Sequence, residues 1–277
     1  MSSIKDRQRA AARARLEKEM AERSAAARKR RQRQAIIGSA LVVIVIAGAA
    51  FWIVNTVGAD DSDEPANNAG AAPAGTVACT WNPEDAAGGG KVVDVGTPGP
   101  NAPNTGTATM TMSTTLGDIV ATVDRAKAPC TAAAIEYLAS KKFWDGTKCH
   151  RMVTEGIKVL QCGDPSAKGK GYRQTDGTGG PSFRYAEENL PTAATPPYPR
   201  GTIAMAKTQA PASTGSQFFI VYGDAQLPPD YTVLGKVTKG MEIVDKVAKA
   251  GTDNANQPGD GHPKQEIGIK SLLMAAA

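Results

Sequence analysis

Histidine is scarce: the 277 residues hold two, His150 and His262. The four cysteines form no Cys-x-x-Cys pair, so a zinc site would need ligands that the sequence does not group. No Gly-x-Ser-x-Gly and no Walker loop is present. The "GKG" within Ala167–Tyr172 is too short for a nucleotide fingerprint and leads into no helix. A hydrolase triad, a metal enzyme and a nucleotide enzyme thus lack their parts, and neither metal nor cofactor is expected. Base-stacking aromatics are absent from residues 1–34, which argues against a nucleic-acid partner.

Charge is unevenly spread. Residues 1–34 hold twelve Lys/Arg and four acids, whereas the remainder has 20 basic against 23 acidic residues. The net charge of +5 therefore belongs to the N-terminal segment and says nothing about a folded domain. Charge then vanishes over Ala35–Val54, "AIIGSALVVIVIAGAAFWIV", where only Ser39 is polar. About 20 helical residues span the ~30 Å hydrocarbon core, and Trp52 suits an interfacial position. A buried core helix would keep a polar face, and a signal peptide would have a shorter apolar region behind a shorter polar one. The sequence predicts a single-pass transmembrane helix over 35–54 with the Arg-rich end in the cytoplasm and everything after it outside. Segment 1–34 would also touch the anionic inner leaflet.

Residues 55–75 are small, acidic and dotted with Pro and Gly, a flexible linker. Residues 76–106 carry short apolar pieces, an extension expected to pack on the domain that follows. From 107 to 274 strand and helix signals are dense. "TATMTMSTTLGDIVATV" reads as a hairpin with a Gly-Asp turn at Gly117. "APCTAAAIEYLASKKF" predicts a helix with Thr131 as cap, and "KGMEIVDKVAKAG" a second helix ended by Gly251. Short strands with no βαβ rhythm point to an antiparallel sheet or barrel capped by helices.

One strand shows where function lies. In "GSQFFIVYG", Gly215–Gly223, alternation puts Phe218, Ile220 and Tyr222 on one face and Gln217, Phe219 and Val221 on the other. Only one of these faces need be core. In "FWDGTKCHRMVTEGIKVLQCGDP", Phe143–Pro165, two strands flank Glu155-Gly156. Arg151 shares a face with Cys149 and Val153, and Gln161 with Val159 and Gly163. Arg151 and Gln161 beside Gln217 and Phe219 would make a shallow apolar cup with fixed hydrogen-bond donors. A lone Arg on a strand is otherwise a surface ion-pair partner.

"GSQFFI", "CHRMV…LQCGDP", "GTGGPSF", "GTIAMAK" and "VLGKVTKGMEIVDKV", in their order along the chain, resemble the cyclophilin family of peptidyl-prolyl isomerases. The resemblance implies a closed eight-stranded antiparallel barrel capped by two helices, here preceded by the transmembrane helix, with a substrate groove on the outer wall. It implies Arg151 as catalytic arginine with Gln161 catalytic beside it, Phe219 as floor of the proline pocket, and Gln161 and Gln217 holding the peptide. Ala206, Met205, Leu227, Val159 and Tyr231 would line the groove. The implied partners are proline-containing unfolded or exported polypeptides, and the implied role is assisting their folding. This sequence departs from the family pattern in a turn about two residues longer ("VTEGIK") and in Lys158 and Val159, where the pattern has Phe and Met. It also has Gln226 in place of an aromatic and Tyr231 in place of His. The weaker wall leaves open a non-catalytic module that binds Pro-containing segments.

Four cysteines in an exported domain suggest disulfides. A Cys79–Cys130 bond would pin the extension to the first helix. Cys149 and Cys162 lie on neighbouring strands but, in a regular hairpin, would point to opposite faces. Only a bulge could pair them, and two buried thiols are the alternative.

Overall fold

The computed structural model describes residues 72–84, 91–225 and 227–276. The basic segment 1–34, the expected transmembrane helix 35–54 and most of the linker 55–75 lie outside the described residues. Among those described, no helix is long and apolar enough to cross a membrane.

The N-terminal part carries four short strands, β1 (Thr76–Ala78), β2 (Asn82–Pro83), β3 (Val92–Val93) and β4 (Asn101–Pro103). A long hairpin follows, β5 (Thr107–Thr114) and β6 (Gly117–Asp124), then helix α1 (Pro129–Ser140). Next come β7 (Thr147–Lys148), β8 (Arg151–Val153), β9 (Lys158–Cys162), β10 (Gly180–Pro181), β11 (Phe183–Arg184) and β12 (Thr202–Met205). The chain ends with β13 (Phe218–Gly223), β14 (Val233–Lys239), helix α2 (Met241–Ala250), β15 (Asp260–Gly261) and β16 (Gly268–Ala276).

Ten strands form one curled sheet in the order β15-β8-β9-β13-β12-β14-β6-β5-β16-β7. The closed eight-stranded barrel expected from the sequence is not what forms. The sheet is an open half-barrel, because no ladder joins its end strands β15 and β7 among the described residues. The physical reason lies at Cys149–His150, where the chain crosses from one end of the sheet to the other. The Cys149 N–H donates to the Ile267 carbonyl (3.1 Å) and the His150 N–H to that of Gln161 (3.1 Å). Two single bonds with changing partners replace a continuous ladder.

The hairpin register pairs Thr114 with Gly117, so the turn is Thr115-Leu116 rather than the expected Gly-Asp pair. The Thr114 side chain supplies the turn chemistry, accepting from the Leu116 N–H and donating to the Gly117 carbonyl. Helix α1 begins at Pro129 and buries Ala134, Ile135 and Leu138, as its apolar spacing requires. Thr131 is buried and makes no cap bond. Instead its N–H donates 2.5 Å to the Glu188 carboxylate, 57 residues away. An acid at a helix N-terminus serves both the free N–H and the dipole.

Residues 76–103 are tied to the rest. β1 pairs with β4, β2 with β11, and β3 with β10. Trp81 sits edge-on to Phe183 (5.5 Å) and Tyr185 (5.6 Å), and Cys79 is disulfide-bonded to Cys130 of α1. The main core, inside the curl, holds Met110, Ile119, Leu138, Trp144, Phe218 and Ile220 among others. A second, smaller apolar cluster lies on the outer face of the sheet.

Candidate active site

Register assembles the site. Arg151 of β8 faces Gln161 of β9, Gln161 faces Phe219 of β13, and Phe219 faces Ala204 of β12. Arg151, Gln161, Phe219 and Ala204 therefore form one row across four strands. The next row along the same face holds Val153, Val159 and Val221. Phe219, Val153, Val159, Ala204 and Val221 pack together with Tyr198 and Ala225, while Ile157, Ala206, Leu227 and Tyr231 lie half-buried against them. The alternation of "QFFIVY" thus sends Phe218 and Ile220 into the core and Phe219 and Val221 into an outer cup.

The cup has an aromatic frame. Phe219 meets Tyr231 edge-on at 5.6 Å and Tyr198 at 6.2 Å. The Tyr198 hydroxyl accepts from the Tyr231 N–H (3.0 Å) and lies 3.2 Å from the carbonyls of Pro228 and Tyr231. It holds the loop that carries Leu227 and Tyr231. Burial pushes the Tyr198 phenol up to about 12 and also raises that of Tyr231, so both stay protonated at neutral pH.

A polar relay runs along the rim. Arg151 donates from Nε (2.9 Å) and Nη2 (2.6 Å) to the two carboxylate oxygens of Asp260, and from Nη1 to Gln161 Oε1 (3.2 Å). Gln161 Nε2 donates to Gln217 Oε1 (3.0 Å), and Gln217 Nε2 to the carbonyls of Gly177 (2.8 Å) and Gly179 (2.9 Å). The backbone N–H groups of these two glycines donate to the fully buried Asp164 carboxylate. A guanidinium has five N–H bonds. Three are used, and two remain on a side chain that is 38% exposed. The hydrogen bond to Asp260 raises the Arg151 pKa, and that same bond holds the Asp260 carboxyl below its ordinary range.

Of the groove residues expected from the sequence, Ala206, Leu227, Val159 and Tyr231 join the outer cluster. Met205 does not. It pairs with Phe218 and lies fully buried in the main core, and alternation gives the outer place to Ala204. Gln226 lies outside the described residues. Cys149 and Cys162 are bonded to each other. Parity does not forbid the bond, because Cys149 precedes β8, where the chain is already changing partners, and Gly163 after β9 has φ +98°.

A family model for cyclophilin type peptidyl-prolyl cis-trans isomerases matches residues 109–273. The chain belongs to the cyclophilin family. It is 41% identical over 180 residues to the probable peptidyl-prolyl cis-trans isomerase B of Mycobacterium leprae, covering 61% of this chain and 57% of that one. The corresponding protein of Mycobacterium tuberculosis is 40% identical over 176 residues, 60% of this chain and 54% of that one. The match spans just over half the length of these curated relatives. Among solved structures, a Cryptosporidium parvum cyclophilin determined in the presence of the dipeptide Ala-Pro superposes with a TM-score of 0.51 and 26% identity. That match covers 61% of this chain and 99% of the other.

Three residues of this cup and its rim carry no signal in the sequence. Asp260 opens the two-residue strand β15, 109 residues from Arg151, in no pattern that marks it. Ile157 occupies the lengthened turn and packs on the cup. Tyr198, in a Pro-rich stretch, is buried.

Proposed function

We propose that this domain catalyses cis-trans isomerisation of X-Pro bonds in polypeptides outside a membrane, assisting their folding. The row Arg151–Gln161–Phe219 carries the reading: a fixed guanidinium with unused N–H bonds stands at the rim of an apolar cup. Amide rotation meets a barrier of ~18–20 kcal/mol because the nitrogen lone pair is delocalised. X-Pro bonds populate both isomers but exchange over tens to hundreds of seconds. In the twisted transition state the pair returns to the prolyl nitrogen. An Arg151 N–H directed there meets a stronger acceptor than in either ground state, which is differential binding. The cup holds the ring while the preceding carbonyl turns, and no proton need be transferred.

Lys158 is exposed and contributes no wall, but Val159 and Ile157 both pack against Phe219's cluster. That closed wall favours catalysis over a binding-only module. The Ala-Pro dipeptide used with the Cryptosporidium relative supports proline-containing peptides as ligands. Exchange spectroscopy on a short Ala-Pro peptide tests the activity: the chain should broaden or cross-link the cis and trans signals at substoichiometric amounts, and unchanged exchange would reject it.

The location reading rests on the charge-free run Ala35–Val54 between a basic segment and an acidic linker, and on two disulfides, which persist in oxidising compartments. Protease added to intact cells should release the domain by cutting within the linker 55–75. A domain protected until the membrane is breached would reverse the orientation.

A further inference from the structure

A second recess, about 490 Å³, shares Arg151 and Gln161 with the site and none of the apolar residues of the cup. His150, Tyr172, Arg173 and His262 also line it. Its walls are fixed by dedicated contacts. The buried Lys148 ammonium donates to the carbonyls of Gly169 (2.8 Å) and Gly171, and lies 4.8 Å from the centre of the Tyr172 ring. Tyr172 stacks on His262 at 4.5 Å, and His262 Nδ1 is 2.8 Å from Asp253. Arg173 is paired with Asp176 at 2.8 Å.

Two wall groups lack a hydrogen-bond partner among the described residues, the Tyr172 hydroxyl and the His150 ring, and His150 is the more deeply placed. His150 is 3% exposed, and neither of its ring nitrogens is hydrogen-bonded among the described residues. Buried polar groups are nearly always satisfied, and leaving one unmet is costly. Burial holds its pKa down at about 4, so the ring is neutral at pH 7, with one nitrogen donating and the other accepting. Neighbouring charges lie in pairs, Arg151 with Asp260 and Arg173 with Asp176. A ligand here must form hydrogen bonds without bringing net charge. A carboxamide, which both donates and accepts, fits that demand.

We propose that this pocket is a substrate subsite for an uncharged hydrogen-bonding side chain, a carboxamide above all, on the polypeptide whose proline fills the cup. The assignment rests on the cup being the prolyl site. Arg151 and Gln161 stand between the two recesses, so the side chain belongs to a residue near the proline in sequence. The subsite would make the enzyme selective for context and not for proline alone.

The two histidines make the test clean, since the full chain labelled at histidine gives two sets of ring signals. It is titrated with an Ala-Pro peptide flanked by alanines, then with peptides carrying Gln at one of the three positions on either side. At one position Gln should tighten binding about fivefold, the worth of one net hydrogen bond, and shift the His150 signals. Gln174→Trp, which fills the exposed rim, and His150→Phe should each abolish that gain while leaving the all-Ala peptide's affinity unchanged. The proposal is overturned if no position shows the gain, if the gain survives both variants, or if Glu outdoes Gln. Binding without cis-trans exchange would sink the isomerase reading and leave the subsite standing. No binding by any peptide would overturn both.

Discussion

Arg151 is held at both ends of its guanidinium, by Asp260 and by Gln161, and this fixes where its two unused N–H bonds point. Fixed donors need no reorganisation when charge develops. Asp260→Ala should therefore lower kcat about tenfold with KM little changed, a split measurable by exchange spectroscopy over a range of peptide concentrations. Because Asp260 titrates below its ordinary value of 3.8, the stability it contributes is present above that pH and is lost as pH falls through the folded value. His150 acts in a higher window. Its pKa falls from 6.5 to about 4 on burial, so the unfolded chain binds more protons between those limits and stability drops as pH falls through them. The loss is on the order of 3 kcal/mol. Thermal melts at pH 7 and pH 4.5 should show this drop, and His150→Phe should lack its share.

At the scale of elements, sequence alternation was a good guide wherever a strand stayed regular. It put Phe219 and Val221 opposite Phe218 and Ile220, and the register then brought Arg151 and Gln161 into the same row. It misled for Cys149, whose parity with Arg151 ends where β8 begins, whereas for Met205 the motif pointed to the groove and alternation points correctly inward. Asp260 and Glu188 were illegible for another reason: their partners lie 109 and 57 residues away, a separation that no local pattern records. Gly163 is an element-scale hinge. It holds φ +98°, and a Cβ there would lie 2.8 Å from the Gln217 Cα and collide with the Ser216 carbonyl. Gly163→Ala should cost roughly 2 kcal/mol or more in chemical denaturation and should also lower activity, because Gln217 must move. The Cys79–Cys130 bond closes a loop with a sequence separation of 51. Cys79→Ser with Cys130→Ser should cost up to about 4 kcal/mol of stability in the chain-entropy account. Peptide mapping without reduction should recover this bond and Cys149–Cys162, and any crossed link would contradict the structure.

At the scale of the molecule, one curled sheet serves two purposes through its two faces. The inner face buries the main core, and the outer face carries an apolar cup bordered by a hydrogen-bonded relay from Asp260 to Asp164. Strand signals in the sequence could not reveal that the curl stays open, because the opening is decided by backbone partners at Cys149 and His150 and not by side-chain pattern. On the function proposed above, the fixed guanidinium on the outer face lowers the barrier to rotation about a prolyl amide. The most direct measurement compares the wild-type chain with Arg151→Ala on one Ala-Pro peptide by exchange spectroscopy, with circular dichroism as the control for folding. Losing a charge-assisted bond made in the transition state should slow isomerisation roughly a hundredfold or more while the spectrum stays unchanged. A variant that keeps near wild-type exchange with an unchanged spectrum would show that this guanidinium does not lower the barrier.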